Sequence, residues 1–260
     1  MTIESDIILD RVLARLQMLW SGSGECAPSE FELRRLERVV GGFCRTEPVR
    51  AYYLLGVLAT LREDTGRMHA CFRNALRHSG HDHSVRRGYG ICLVRLRYFA
   101  EAREQYEAIF AQNNQDLDVL AELIVTSLAT GRIREGVRWI QHWSRLHPDR
   151  PFEEADSIAK SAALLEKHGI SDDHVERLQR LALGILEREF LSIQTIHYQG
   201  VPEEDPEWIS ADLVVDESEE VVHGLNSKLS KVLHSQAPPP RLADVIKFTY
   251  TTGNQSTPTA

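Results

Sequence analysis

Gly56 and Gly90 stand 34 residues apart, and so do Phe72 and Tyr106. Met68, Ala102 and Gly136 succeed one another at the same interval, and Asn114 precedes Pro148 by it. A fixed period of this size constrains the fold severely. Each unit is one supersecondary element that cannot bury its apolar face alone, so the chain must stack helix pairs rather than close a single core. Such an array offers a long groove, which predicts that the chain holds another protein.

Taking Val49, His83 and Leu117 as the first positions of three successive units brings the pattern into register. Leu55-Gly56 and Tyr89-Gly90 fill the seventh and eighth positions, where the third unit has Leu123-Ile124. Later in the units come Met68, Phe72 and Ala75, then Ala102, Tyr106 and Ile109, then Gly136, Ile140 and Trp143. A small residue at the eighth and twentieth positions lets two antiparallel helices approach, and a large one at the twenty-fourth fills the space towards the next pair. Gly131 marks a turn, and Pro148 an end that no helix can pass.

Over residues 49–150 this pattern resembles the tetratricopeptide repeat, whose signature runs aromatic-x-x-Leu-Gly, Ala, Phe or Tyr, Ala, and a closing Pro. The stretch from Arg97 to Tyr106 matches it most clearly, while Met68, Ile109, Ile124 and Trp143 replace its small residues. The resemblance implies a mainly α chain, a solenoid of helical hairpins. It also implies that ligand-facing side chains lie on the first helix of each unit. Those positions give Arg50, Tyr53 and Val57 in the first unit, Arg87, Ile91 and Arg95 in the second, and Val125 in the third. Arginine beside aromatic and aliphatic surface suits an extended or helical segment with apolar anchors and acidic groups. Relatives that clamp the C-terminal carboxylate of heat-shock chaperones use Lys and Asn where this chain has Tyr53 and Val57, so that role is not expected.

Around the repeats the period fails. Residues 1–48 read as an N-terminal helical cap: apolar Ile8, Val12, Leu16 and Leu19 at helical spacing, a Ser21-Gly22-Ser23-Gly24 stretch, and a second helix opened by Pro28-Ser29-Glu30 and ended by Gly41-Gly42. Residues 151–191 read as a degenerate helical pair closing the array, with an N-cap at Ser171. Residues 192–252 read as a small β-β-α-β module. Its strands are expected near 191–199, 208–215 and 245–251 and its helix over 217–234, with an acidic turn from Pro202 to Pro206. So small a unit should pack on the last helices. The tail 253–260 is polar and is expected to be disordered.

Charge divides the chain as well. The first 150 residues hold 21 Arg, no Lys and 19 acidic side chains; the last 110 hold 4 Arg, 5 Lys and 19 acidic ones, so net charges of +2 and −10 make the −8 of the whole. Nucleic acid is an unfavourable partner for so acidic a chain, because neutralising phosphates requires a basic face. The first twenty residues contain early acidic groups and no continuous apolar run, so neither a signal peptide nor a membrane span is expected. Cys26, Cys44, Cys71 and Cys92 lack close spacing, which suits a reduced cytoplasmic protein. Arg-rich, Lys-poor usage suits a GC-rich bacterial source.

Chemistry has little to stand on. His78, His81 and His83 with Asp82 could hold a transition metal, but polar residues are ordinary in a turn such as this. No metalloprotease, serine-hydrolase or phosphate-loop motif is present, and the adjacent Glu203, Glu204 and Asp205 have no partner to tune them. No catalytic residue, metal or cofactor is therefore predicted. The chain is expected to be an adaptor or chaperone-like assembly factor with a protein partner and no membrane, and homodimerisation is compatible with it. The alternative is an effector whose C-terminal module acts, by edge-strand pairing or dimerisation, while the helices sense a signal.

Overall fold

The computed structural model describes residues 3–20, 29–189, 191, 193–201, 207–235 and 240–253. The Ser21-Gly24 stretch, Cys26, the Pro202–Pro206 turn and the tail beyond Gly253 lie outside the described residues. The chain divides into two compact units, Met1–Asn114 and Gln115–Ala260, so the third repeat falls in the second unit.

The first unit contains α1 (Ile3–Trp20), α2 (Glu30–Gly41), α3 (Pro48–Leu61), α4 (Thr65–Ser79), α5 (His83–Arg95) and α6 (Phe99–Phe110). The pairs α3/α4 and α5/α6 are the hairpins of the first two repeats. Their glycines act as the spacing requires. A Cβ on Gly56 would come within 2.6 Å of the Phe72 ring, and one on Gly90 within 2.7 Å of Tyr106. Between hairpins, Tyr53 packs its ring against Gly88, and Phe72 stacks on Tyr89 with centroids 4.9 Å apart. Helix α2 is capped by the Ser29 side chain and tied down by arginine: Arg62 donates to Glu37 at 2.9 Å and also pairs with Glu30. Helix α1 makes no comparable hairpin with α2 and packs chiefly on α3, burying Leu9, Val12, Leu16 and Leu19.

The period is also visible in backbone hydrogen bonds. In the second unit, α7 (Leu117–Ala129) and α8 (Ile133–Leu146) form the third hairpin. The turn inside each hairpin is closed by the same bond: Asp64 N–H to Ala59 O, Tyr98 N–H to Leu93 O, and Arg132 N–H to Ser127 O, each 2.9 Å. The residue before each donor is left-handed: Glu63 (φ 57°), Arg97 (φ 65°) and Gly131 (φ 77°). This is the helix-ending motif that glycine best supports, yet only the third repeat uses glycine. The pair α9 (Ala155–Lys167) and α10 (Asp172–Arg188) repeats the turn at Gly169 (φ 67°), with Ile170 N–H to Leu165 O at 2.8 Å.

The second unit continues with β1 (Ile193–Val201), β2 (Trp208–Val215), α11 (Glu219–Ser235), α12 (Pro240–Val245) and β3 (Ile246–Thr252). The sheet order is β1-β2-β3; β1 runs antiparallel to β2, and β3 parallel to it after the helical crossover. The short α12, absent from the sequence reading, delivers the chain into β3. One hydrophobic core runs from Ile124 and Ile140 through Leu165 and Leu178 to Leu213, Leu225 and Tyr250. Polar joints fix it. The buried Gln179 side chain donates to Ala129 O and accepts from the Tyr198 hydroxyl, while Tyr250 donates to Ala182 O at 2.6 Å. The Asp172 carboxylate accepts the backbone N–H groups of Arg134 and Glu135 at 3.0 and 3.1 Å, and so caps the start of α8 from a different hairpin.

Candidate functional site

The side chains expected to face a ligand differ in what they serve. Tyr53 and Val57 serve the interior. Val57 is buried, and the Tyr53 ring lies against Gly88 and edge-on to Phe72, with burial raising its hydroxyl above the ordinary tyrosine range. The Tyr53 ring helps hold one hairpin on the next, and the burial of Val57 leaves it little surface to offer a ligand. Ile91 is 39% exposed on α5, Arg87 is half-buried, and Arg95 is exposed, so this helix presents a face. Val125 lies on α7 in the second unit and is 47% exposed.

Arg50 and Arg95 are already engaged, and by the same element. Arg50 donates to Asp6 at 2.8 Å and also pairs with Asp10. The Arg95 guanidinium lies 4.4 Å from the Trp20 ring centroid and donates to the Trp20 carbonyl at 3.2 Å. Asp6, Asp10 and Trp20 all belong to α1. Its first turns reach the start of α3 and its last residue the end of α5, so α1 runs along the first-helix face of two repeats. Asp6 and Asp10 are one helical turn apart, a like-charge spacing unfavourable in an isolated helix and favourable beside an arginine. Sequence reasoning placed the arginines and missed their partner. The signal was present in the acidic pair and Trp20, but nothing local links residues 44 and 75 positions apart.

A concavity lies wholly in the second unit, a cavity of about 660 Å³ between α8, α9 and the first turn of α10. Ala159, Ala162 and Val137 line it, together with Arg132, Arg134 and Arg138. Arg132 is committed to Glu135, Asp173 and Glu176, which raise its pKa still further, and Asp172 is committed to capping α8.

The free edges of the sheet are partly occupied. Ser157 on α9 donates to Tyr198 O of β1 at 3.0 Å. On β3 the Asn226 side chain accepts from Tyr250 N–H at 2.8 Å and donates to Tyr250 O at 3.0 Å, as a neighbouring strand would. Edge pairing with a partner would have to displace these side chains.

The histidine cluster disperses. His78 stacks on Tyr52, His81 approaches Arg86, and His83 meets the Gln112 side chain at 2.6 Å. Asp82 caps α5, and the Ser84 hydroxyl followed by the Val85 and Ser84 N–H groups holds its carboxyl below the usual range. Among the described residues no three His, Cys, Asp or Glu side chains gather to hold a metal ion. Burial pushes the Cys92 thiol up to about 12. No described helix is long and apolar enough to cross a membrane.

No known family model matches the sequence, and no curated protein matches it. Among solved structures, a MamA mutant aligns with a TM-score of 0.45 and 14% identity over 65% of this chain and 85% of that one. The MamA AMB-1 structure gives 0.44 and 14% over 64% and 84%, and the MamA RS-1 ArsTM double mutant 0.43 and 13% over 91% and 98%. Likenesses this slight say nothing about what the chain binds, and its hairpin architecture stands on its own glycines, turns and core.

Proposed function

We propose that the chain is a protein-interaction module whose repeat helices α3 and α5 hold a helical segment of a partner with acidic groups and an apolar face. One observation carries this reading: that face already engages the acidic and aromatic side chains of a helix, through Arg50 and Arg95. Exposed Ile91 beside Arg95 extends the surface with the mixture of apolar and cationic groups that concentrates binding energy at interfaces. An adaptor or assembly factor is the role such a surface supports best.

The test is capture of proteins from the source cell on the wild-type chain beside a folded Arg87→Glu/Arg95→Glu variant. A protein retained by the first and lost by the second supports the reading. Equal retention by both would move the binding surface away from α5.

A further inference from the structure

Helix α1 is joined to the rest of the first unit mainly through one neighbour. It touches α2 little, packs along α3, and is pinned at both ends by the two arginines that the repeat pattern assigns to ligand contact. Its buried stripe of Leu9, Val12, Leu16 and Leu19 provides the apolar anchors, and Asp6, Asp10 and Trp20 satisfy the arginines.

We infer that α1 is a resident, displaceable occupant of the α3/α5 face, and that the partner is a helix of the same chemistry. Such a helix has two carboxylates one turn apart, a leucine-rich stripe, and an aromatic residue at its C-terminal end. This rests on the reading of that face as a partner-binding surface and adds to it a template for the partner and a built-in competitor. The ion pairs are half-exposed, with side chains of Arg50 and Asp6 retaining 35% and 36% of their surface, so each contributes weakly and exchanges readily. A helix on the same chain nevertheless competes intramolecularly, which favours it over a free peptide of equal chemistry. A free helix must therefore overcome α1 before it binds, and whatever weakens α1 raises partner affinity by the same factor.

The experiment uses the full chain and a dye-labelled synthetic peptide of residues 3–20, followed by fluorescence anisotropy. Asp6→Arg/Asp10→Arg sets α1 against Arg50 without altering the face. The labelled peptide should bind this variant at least tenfold more tightly than wild type. Adding Arg50→Glu should restore the internal pairs with reversed sign and return the affinity to wild-type weakness or below. Equal affinity for wild type and the double variant, or no binding to a double variant with the wild-type circular dichroism and melting curve, overturns the inference.

Hydrogen exchange on the wild type provides a reading that needs no variant. The α1 amides should open well before those of α3 and α4. Exchange of α1 only together with α3 would make it a fixed part of the unit and overturn the inference. The two readings fail separately. A partner captured through Arg87 and Arg95 with unchanged peptide affinities removes the resident helix alone. The expected peptide affinities with no cellular partner remove the partner reading and leave α1 as the face's only ligand.

Discussion

The same turn occurs in both units and is built from different residues. Glu63 and Arg97 hold the left-handed position in the first unit, exposed, while buried Gly131 holds it in the second. Between Gly131 and the two first-unit positions the difference lies in what packs on the turn, whereas Gly169, the second unit's other such turn, is exposed. A Cβ on Gly131 would stand 2.8 Å from the Gln179 side chain and 3.0 Å from the Glu176 backbone nitrogen, whereas Glu63 and Arg97 face solvent. Side-chain ties add to the contrast. The first unit has arginine–carboxylate pairs on its surface, at Arg15–Glu32, Arg50–Asp6 and Arg62–Glu37. The second has such pairs too, at Arg132 and Arg180, and adds the buried joints of Gln179, Tyr198 and Tyr250. Surface pairs exchange cheaply; a buried polar joint left half-made is expensive. The face proposed for a partner lies on the first kind of construction.

The largest expected effect follows from that turn. Gly131→Ala forces a side chain into the left-handed region, at about 1–2 kcal/mol, and overpacks α10, at about 1–3 kcal/mol more. Denaturant unfolding should show a loss of roughly 3 kcal/mol, confined to the second unit if the two melt independently. A loss below about 1 kcal/mol would mean that α10 yields easily, and the second unit would no longer be the rigid one.

Tyr198→Phe comes next. It removes the hydroxyl that the Gln179 carbonyl oxygen accepts from, leaving a buried acceptor unsatisfied at a cost of about 1–3 kcal/mol. By contrast, Arg95→Ala removes an exposed cation–π contact worth about 0.5–1 kcal/mol. It should scarcely move the unfolding midpoint while accelerating amide exchange in the last turn of α1. If Arg95→Ala destabilises the chain as much as Tyr198→Phe does, the distinction between exchangeable and fixed joints collapses.

How much of this was legible in the sequence depends on the range of the contact. The hairpins were, because Gly56–Phe72 and Gly90–Tyr106 lie within one 34-residue unit and recur in step. So was β2, whose bounds Trp208–Val215 agree with the expected strand, because apolar runs and turn residues act locally. The left-handed turn was visible at Gly131 and Gly169, whereas Glu63 and Arg97 give no sign of backbone conformation. Position within the repeat selected Arg50 and Arg95, which meet α1, together with Tyr53, whose ring lies against Gly88 and Phe72, and Val57, which is buried. The occupant α1 was invisible because complementarity between an acidic pair and a distant arginine has no period. Gln179, a polar residue on a helix otherwise read as amphipathic, gave no hint of its burial, because only the folded neighbours Ala129 and Tyr198 make that burial tolerable.

The smallest effect has the opposite sign and tests the turn comparison most directly. In the first unit the left-handed position is occupied by residues that pay about 1–2 kcal/mol for it. Replacing Arg97 by glycine removes that strain and adds about 0.5–1 kcal/mol of unfolded-state entropy to be lost on folding. Arg97→Gly should therefore stabilise the first unit by about 0.5 kcal/mol, as should Glu63→Gly, because neither exposed side chain has a packing role to forfeit. Denaturant midpoints at constant slope would read the change. A stabilisation in both places would establish that the turn tolerates any residue in the first unit and requires glycine only where α10 closes over it. A loss at Arg97 alone would mean that its side chain has a role outside the turn, and exposure would no longer explain why the two units differ.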